Sequence, residues 1–310
     1  MPLHVKILGS NSASFAHNRH HTSQLLQIQD QYFLIDCGEG TQMQFKRYGI
    51  KFSKIDHIFI SHLHGDHYYG LIGLLSTMHL YGRVKPLILV GPPGLIEIIS
   101  VQLRYSETHL NFPIEYIEWV PNEYQLIFEN EKLTVHTLPL DHRVPCSGYL
   151  FKEKPKKRRL NKVFLPDRLP PNEIQLLKNG EDVYDDQGKL RYANAEVTLP
   201  PNRQLSYAFC SDTKYKPGLL NWISQTDLLY HEATFMEDMR ERAENTFHTT
   251  ASQAAQLALD AGVGRLLIGH FSTRYKNLDP VLREATSVFK PTSLAVEGQV
   301  FTINDHGEHG

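Results

Sequence analysis

The stretch Ser61-His62-Leu63-His64-Gly65-Asp66-His67 constrains this chain more than any other. It follows the apolar run Ile55 to Ile60, which predicts a short buried strand. Alternate side chains of an extended backbone share a face, so His62 and His64 point the same way if strand geometry continues into the motif. Gly65 then permits a turn that returns Asp66 and His67 toward the same point. Imidazole and carboxylate groups suit zinc or a similar divalent ion. Four such groups within residues 62–67 crowd a single ion. Two ions, each taking a pair and completed by ligands from elsewhere, are the easier reading. The competing reading, a solvated histidine-rich turn, does not account for the buried strand that feeds the motif.

Three later apolar runs also end in a ligand-type residue. Leu133 to Leu140 leads into Asp141-His142, Leu205 to Cys210 into Ser211-Asp212, and Leu266 to Gly269 into His270. Sites gather where strand ends meet loops. One division places His62, His64 and His142 on one ion, Asp66, His67 and His270 on the other, with Asp212 bridging. A bridging carboxylate holds two cations about 3.5 Å apart. The chain has seventeen histidines, so a lone one means little. His136, at an alternation position inside its strand, reads as structural. Asp141 and His142 are neighbours whose side chains diverge on an extended backbone, which argues against mutual support.

A hydrophobic content of 41% suffices for a core, and the wider pattern predicts how that core is layered. Strand-like runs at 4–8, 23–28, 32–35, 87–90, 114–119, 124–128, 133–138, 149–151, 205–210, 228–230 and 265–268 are interspersed with helical ones at 68–81, 95–105, 249–261 and 280–289. Short strands around Glu297-Gly298 close the chain. This implies helix-covered sheets, an α/β or α+β layered fold of one domain. Within it, Lys152, Lys154, Lys156, Lys157, Arg158, Arg159 and Lys162 stand against one acid, Glu153. Residues 163–204 are polar and proline-punctuated, so 152–204 reads as a projecting arm or a solvated loop. Over the whole chain 32 basic residues balance 34 acidic ones, so any polyanion must be met by a local patch. Cys37, Cys146 and Cys210 form no CxxC pair, which excludes a disulfide framework and fits a reducing cytoplasm. The start MPLHVKILGS enters a strand at once, without a signal peptide, and no apolar run nears the ~20 residues of a membrane span.

The motif at 62–67 resembles the His-x-His-x-Asp-His pattern of the metallo-β-lactamase superfamily. Within it the chain is similar to the ribonuclease Z family, tRNA 3′-processing endonucleases, through Asp36-Cys37-Gly38-Glu39-Gly40-Thr41-Gln42, His67 through Leu74, His142 through Tyr149, His231-Glu232-Ala233-Thr234-Phe235 and His270 through Tyr275. The loop at 18–23 and Phe247-His248-Thr249-Thr250 depart from the family's usual wording. The resemblance implies a four-layer αβ/βα sandwich, two zinc ions per chain held by the division above, and usually a homodimer acting in the cytoplasm without a nucleotide cofactor. It implies Asp66 as general base and Glu232 with His248 as the proton-donating pair. Arg274, four residues after His270, is placed to hold a phosphate oxygen. The arm lies where short-form enzymes carry a tRNA-binding exosite. The expected substrate is precursor tRNA, cut to leave a 3′-hydroxyl on the tRNA and a 5′-phosphate on the trailer. A hydrolase of small phosphodiesters or sulfate esters would need no basic arm. A tRNA-binding protein with only structural metal would need no acid pair.

Overall fold

The computed structural model describes residues 2–164 and 168–304. One compact unit is built from the chain up to Lys152 and from Leu205 onward, and a second from Glu153–Gln204. The strands are, in order, β1 (Leu3–Gly9), β2 (Ser23–Ile28), β3 (Gln31–Ile35), β4 (Ile55–Phe59), β5 (Leu87–Gly91), β6 (Ile114–Glu118), β7 (Leu126–Glu129), β8 (Leu133–Pro139) and β9 (Ser147–Glu153). The inserted unit holds β10 (Arg159–Leu160), β11 (Val183–Tyr184), β12 (Leu190–Tyr192) and β13 (Thr198–Leu199). The chain ends with β14 (Ser206–Cys210), β15 (Leu228–Glu232), β16 (Arg265–Gly269), β17 (Thr292–Leu294) and β18 (Val300–Ile303).

Two seven-stranded sheets carry the larger unit, in the orders β18-β1-β2-β3-β4-β5-β6 and β17-β16-β15-β14-β9-β8-β7. Alternation decides the layering. One set of side chains, including Val5, Phe33, Phe59, Phe151, Phe209 and Tyr230, packs into a core shared by both sheets. The opposite face of the first sheet packs with Phe45, Leu74, Met78 and Ile99 from the helices Thr41–Arg47, Leu71–Leu80 and Leu95–Tyr105. The opposite face of the second packs with Ala254, Leu257, Val281 and Ala285 from Ala251–Ala261 and Asp279–Val288. Three cores between four layers make the αβ/βα sandwich. β3 through β6 run parallel, as do β14 through β17, so the loops after β4, β14, β15 and β16 leave from carboxyl ends.

The structure differs from the sequence reading at instructive places. The expected helix over 68–81 is two, Gly65–Tyr68 and Leu71–Leu80. Gly65 therefore opens a short helix, and it is this helical turn that brings Asp66 and His67 round. The break is at Gly70, where an added Cβ would lie 2.2 Å from the Gly38 carbonyl oxygen. The close approach is held by Cys37 N donating to His67 O at 2.7 Å and Gly70 N donating to Cys37 O at 2.9 Å. The closing strands are present as expected and go to different sheets: β17 joins β16, and β18 joins β1.

The inserted unit has its own small core of Leu177, Val183 and Val197, with the helix Pro171–Asn179. Arg158 Nε donates to Thr198 Oγ1 at 2.7 Å, Arg159 Nε to Pro200 O at 3.1 Å, and Lys156 pairs with Glu153 at 2.6 Å. Part of the basic run thus folds the insert, while Lys157 and Lys162 are exposed. Residues 165–167 of the expected arm lie outside the described residues.

Candidate metal centre

The carboxyl ends of β4, β8, β14 and β16 deliver the expected ligands to one place. Past β4, His62 and His64 turn their rings together, with His62 Nε2 3.1 Å from His64 Nδ1. His142, after β8, brings Nε2 to 3.1 Å from the same His64 Nδ1. Asp212, after β14, places Oδ2 3.7 Å from His62 Nε2 and 3.8 Å from His142 Nε2. Its other oxygen, Oδ1, lies 3.4 Å from His67 Nε2 and 3.3 Å from His270 Nε2. Those two nitrogens are 3.3 Å apart, and Asp66 Oδ2 is 3.5 Å from the first and 3.3 Å from the second.

These distances test the fit of an ion. A tetrahedral zinc with bonds of about 2.0–2.1 Å has ligand-to-ligand edges of about 3.3–3.4 Å. The three edges of the Asp66, His67 and His270 group fall at 3.3–3.5 Å, and Asp212 Oδ1 lies 3.3–3.4 Å from the two histidines while staying outside the close group they form with Asp66. Asp212 Oδ1 is buried and lacks a hydrogen bond despite two imidazole nitrogens beside it. Lone pairs aimed at a common centre give that result. The His62, His64, His142 and Asp212 group is a second such cluster. The donor set of imidazole and carboxylate fits a divalent metal in both.

Supporting hydrogen bonds fix which ring nitrogen faces inward. His67 Nδ1 donates to Asp36 Oδ2 at 2.7 Å, His142 Nδ1 to Phe247 O at 3.0 Å, and His270 Nδ1 to Thr234 Oγ1 at 2.8 Å. Asp36 is fully buried at φ 57°, a left-handed conformation that Asp tolerates. Its Oδ1 accepts Ser61 N–H at 2.8 Å and its Oδ2 the Ser61 hydroxyl at 2.9 Å. Burial opposes charge on His67, yet Asp212, Asp66 and Asp36 outweigh it and raise the ring well above its ordinary value. The pocket is electrostatically a cation site. Burial likewise opposes charge on Asp212, and His270 and His67 overcome it to hold the carboxyl well below its usual range.

Glu232 is the last residue of β15 and completely buried. It is no solvated loop acid. Its Oε1 accepts from Thr213 N and Thr249 N, both at 3.1 Å, and from His248 Nδ1 at 2.9 Å. Its Oε2 accepts from Thr234 N at 3.0 Å and the Thr234 hydroxyl at 2.6 Å. Burial lowers the basicity of His248, but Glu232 outweighs it and raises the imidazole to about 9. The helix Ala251–Ala261 is capped by Thr250 with Gln253, so His248 is not needed as its cap. His248 also lies within reach of Asp212 and His270, but its Nδ1 is engaged by Glu232.

An open cleft of about 660 Å³ exposes the centre, lined by His64, Asp66, His142, Arg143, His248 and His270 among others. Arg274 is exposed, its guanidinium 3.5 Å from Ser272 Oγ. Asp141 has an exposed side chain, and His136 stacks on Tyr124 at 5.0 Å. Sequence reasoning gave no role to Asp36, Thr234 or Arg143. All three sit inside quoted motifs, and Arg143 adjoins His142.

Comparison with known proteins agrees over the whole chain. A ribonuclease Z of Cytophaga hutchinsonii is 50% identical over 309 residues, covering 100% of this chain and 99% of its own. One from Bacteroides fragilis is 43% identical, covering 96% and 98%. The crystal structure of human tRNase Z, short form, superposes with a TM-score of 0.72 at 27% identity, covering 97% and 99%. A family model described as anti-Pycsar protein Apyc1 matches residues 3–154.

The Asp36–His67 bond carries the first prediction. Asp36→Asn keeps the shape but loses the carboxylate that fixes the His67 tautomer. Zinc affinity, measured by chelator competition, should fall about 10- to 100-fold. Unchanged affinity would remove Asp36 from this positioning role.

Proposed function

The chain belongs to the ribonuclease Z family, and from that premise we propose how its residues share the work. It is a metal-dependent endoribonuclease of tRNA 3′ processing. The proposal assigns zinc as the metal, with one ion to His62, His64 and His142, a second to Asp66, His67 and His270, and Asp212 to both. The observation that supports it most is Asp212, whose two oxygens face different imidazole groups. When bound, the ions neutralise phosphodiester charge and make water acidic enough to attack near neutral pH.

The remaining work falls to the protein. Asp66, steadied by Ala13 N–H at 2.8 Å, is the general base for the attacking water. Attack on phosphorus breaks the bond to the ribose 3′-oxygen, which leaves poorly unless it gains a proton. His248, kept protonated by Glu232 through Nδ1, donates that proton from Nε2. Glu232 makes too many hydrogen bonds to be the donor and acts by orienting and charging His248. Arg274 and Arg143 are assigned to phosphate oxygens. The inserted unit is assigned to the body of the tRNA, through exposed cations such as Lys157 and Lys162. Family membership supports a homodimer, and three free cysteines suit a reducing cytoplasm. Among the described residues no helix is long and apolar enough to cross a membrane.

The direct test is hydrolysis of precursor tRNA beside a chromogenic phosphodiester. We expect preference for the tRNA, with a 3′-hydroxyl on the tRNA and a 5′-phosphate on the trailer. A 2′,3′-cyclic phosphate would contradict water attack, and indifference to the tRNA would favour the small-ester reading. His248→Ala should lower the rate on precursor tRNA by about 10²- to 10⁴-fold. A nitrophenolate leaves without a proton, so its release should suffer far less. Equal losses on both would remove His248 from the acid role.

The insert is testable because β9 and β14 are antiparallel neighbours, Lys152 opposite Ser206. A short Gly/Ser link can therefore close the gap left by deleting 154–203. Each lost phosphate contact should flatten the slope of log K against log salt by about 0.7–0.9. Affinity for precursor tRNA should drop while small-ester hydrolysis persists. Unchanged affinity in a folded deletion would show that the insert does not grip tRNA.

A further inference from the structure

Two exposed aromatic rings line the metal cleft, and the proton-transfer chemistry uses neither. Phe15 is 56% exposed and Tyr69 63%. Exposed aromatics are ordinary on a protein surface, and Tyr81 and Tyr105 are others here. What sets Phe15 and Tyr69 apart is their anchorage to the centre. Phe15 belongs to the loop after β1, in which Ala13 N donates to the ligand Asp66 and Ser12 N to Phe271 O at 3.1 Å, beside the ligand His270. Asn11 Nδ2 closes that loop on Ser14 O at 2.6 Å. Ala13 is held at φ 52°, which the loop's hydrogen bonds must sustain. The Phe15 ring meets His20 edge-on, at 5.0 Å and 72°, so the two rings do not cover each other. Tyr69 lies flush with the motif itself, since a Cβ on Gly65 would fall 2.2 Å from its ring. The loop that carries Phe15 and the ring of Tyr69 are thus each tied to the Asp66 motif, one by the Ala13 hydrogen bond and the other by contact with Gly65.

Single-stranded nucleic acid is held by such surfaces, because every base offers a π-face to an aromatic ring. We propose that Phe15 and Tyr69 are stacking platforms for the unpaired nucleobases on either side of the scissile phosphate, and that they set its position over the metal centre. The inference rests on the assignment of precursor tRNA as substrate. It adds base contacts close to the cut, distinct from any grip of the insert on the tRNA body.

The test uses precursor tRNA in three forms: intact, and with a single abasic nucleotide immediately 5′ or 3′ of the cleavage site. Zinc content and melting temperature of the full-length variants serve as folding controls. Stacking is worth about 1–3 kcal/mol per base, which converts to a loss of about 5- to 150-fold. Phe15→Ala and Tyr69→Ala should each lower kcat/KM on the intact substrate by that factor. Phe15→Trp and Tyr69→Phe, which keep a π-face, should retain most of the rate. On one of the two abasic substrates the penalty of each alanine variant should collapse, because the base it would have met is gone. A residue whose alanine penalty is absent, or is the same on all three substrates, is not a stacking platform. Failure of the unsubstituted protein to cleave the intact substrate would instead strike the assignment of precursor tRNA.

Discussion

The carboxylate of Asp212 is the point on which this structure turns. Its Oδ2 faces His62 and His142, and its Oδ1 faces His67 and His270. No other described side chain joins the two ligand groups in this way. Burying it costs free energy unless positive charge surrounds it. The fold meets that need by sending the ends of β4, β8, β14 and β16 to one edge of the sandwich. Ligands from both sheets meet there, so the inter-sheet core has to hold its spacing for the centre to keep its distances.

Around that point the protein fixes orientation through buried hydrogen bonds. Asp36 holds His67, and Thr234 sits between His270 and Glu232. The Thr234 hydroxyl accepts from His270 and donates to Glu232, the carboxylate bonded to His248. The proposed metal ligation and proton donation therefore share one short chain of hydrogen bonds. The approach of Gly38 to Gly70 belongs to the same design, because it joins the Asp36 loop to the helix that carries His67.

Much of this was legible in the sequence, and for physical reasons. Ligands at the ends of apolar runs are visible because a buried strand has a hydrophobic pattern and its end has a sharp boundary. His142, Asp212 and His270 were found that way, and Glu232 and His248 through motif resemblance. Asp36 escaped a role because its partner His67 is thirty-one residues away and only the folded loops bring them together. Thr234 escaped because a hydroxyl has no pattern of its own. The break at Gly70 was invisible because its cause is a backbone approach from another loop. The insert reads in sequence only as an arm or solvated loop, because its core is three fully or nearly buried apolar side chains among many polar ones. Arg158 and Arg159 read as part of a binding run, although each also donates to the insert's own fold.

The claim of a shared carboxylate can be tested by counting. Metal-free protein, titrated with zinc under chelator buffering and then freed of excess metal, would be analysed for zinc per chain. The account predicts two ions per chain, because Asp212 offers one oxygen to each of two donor groups. A reproducible single ion per chain in well-folded, active protein would contradict it.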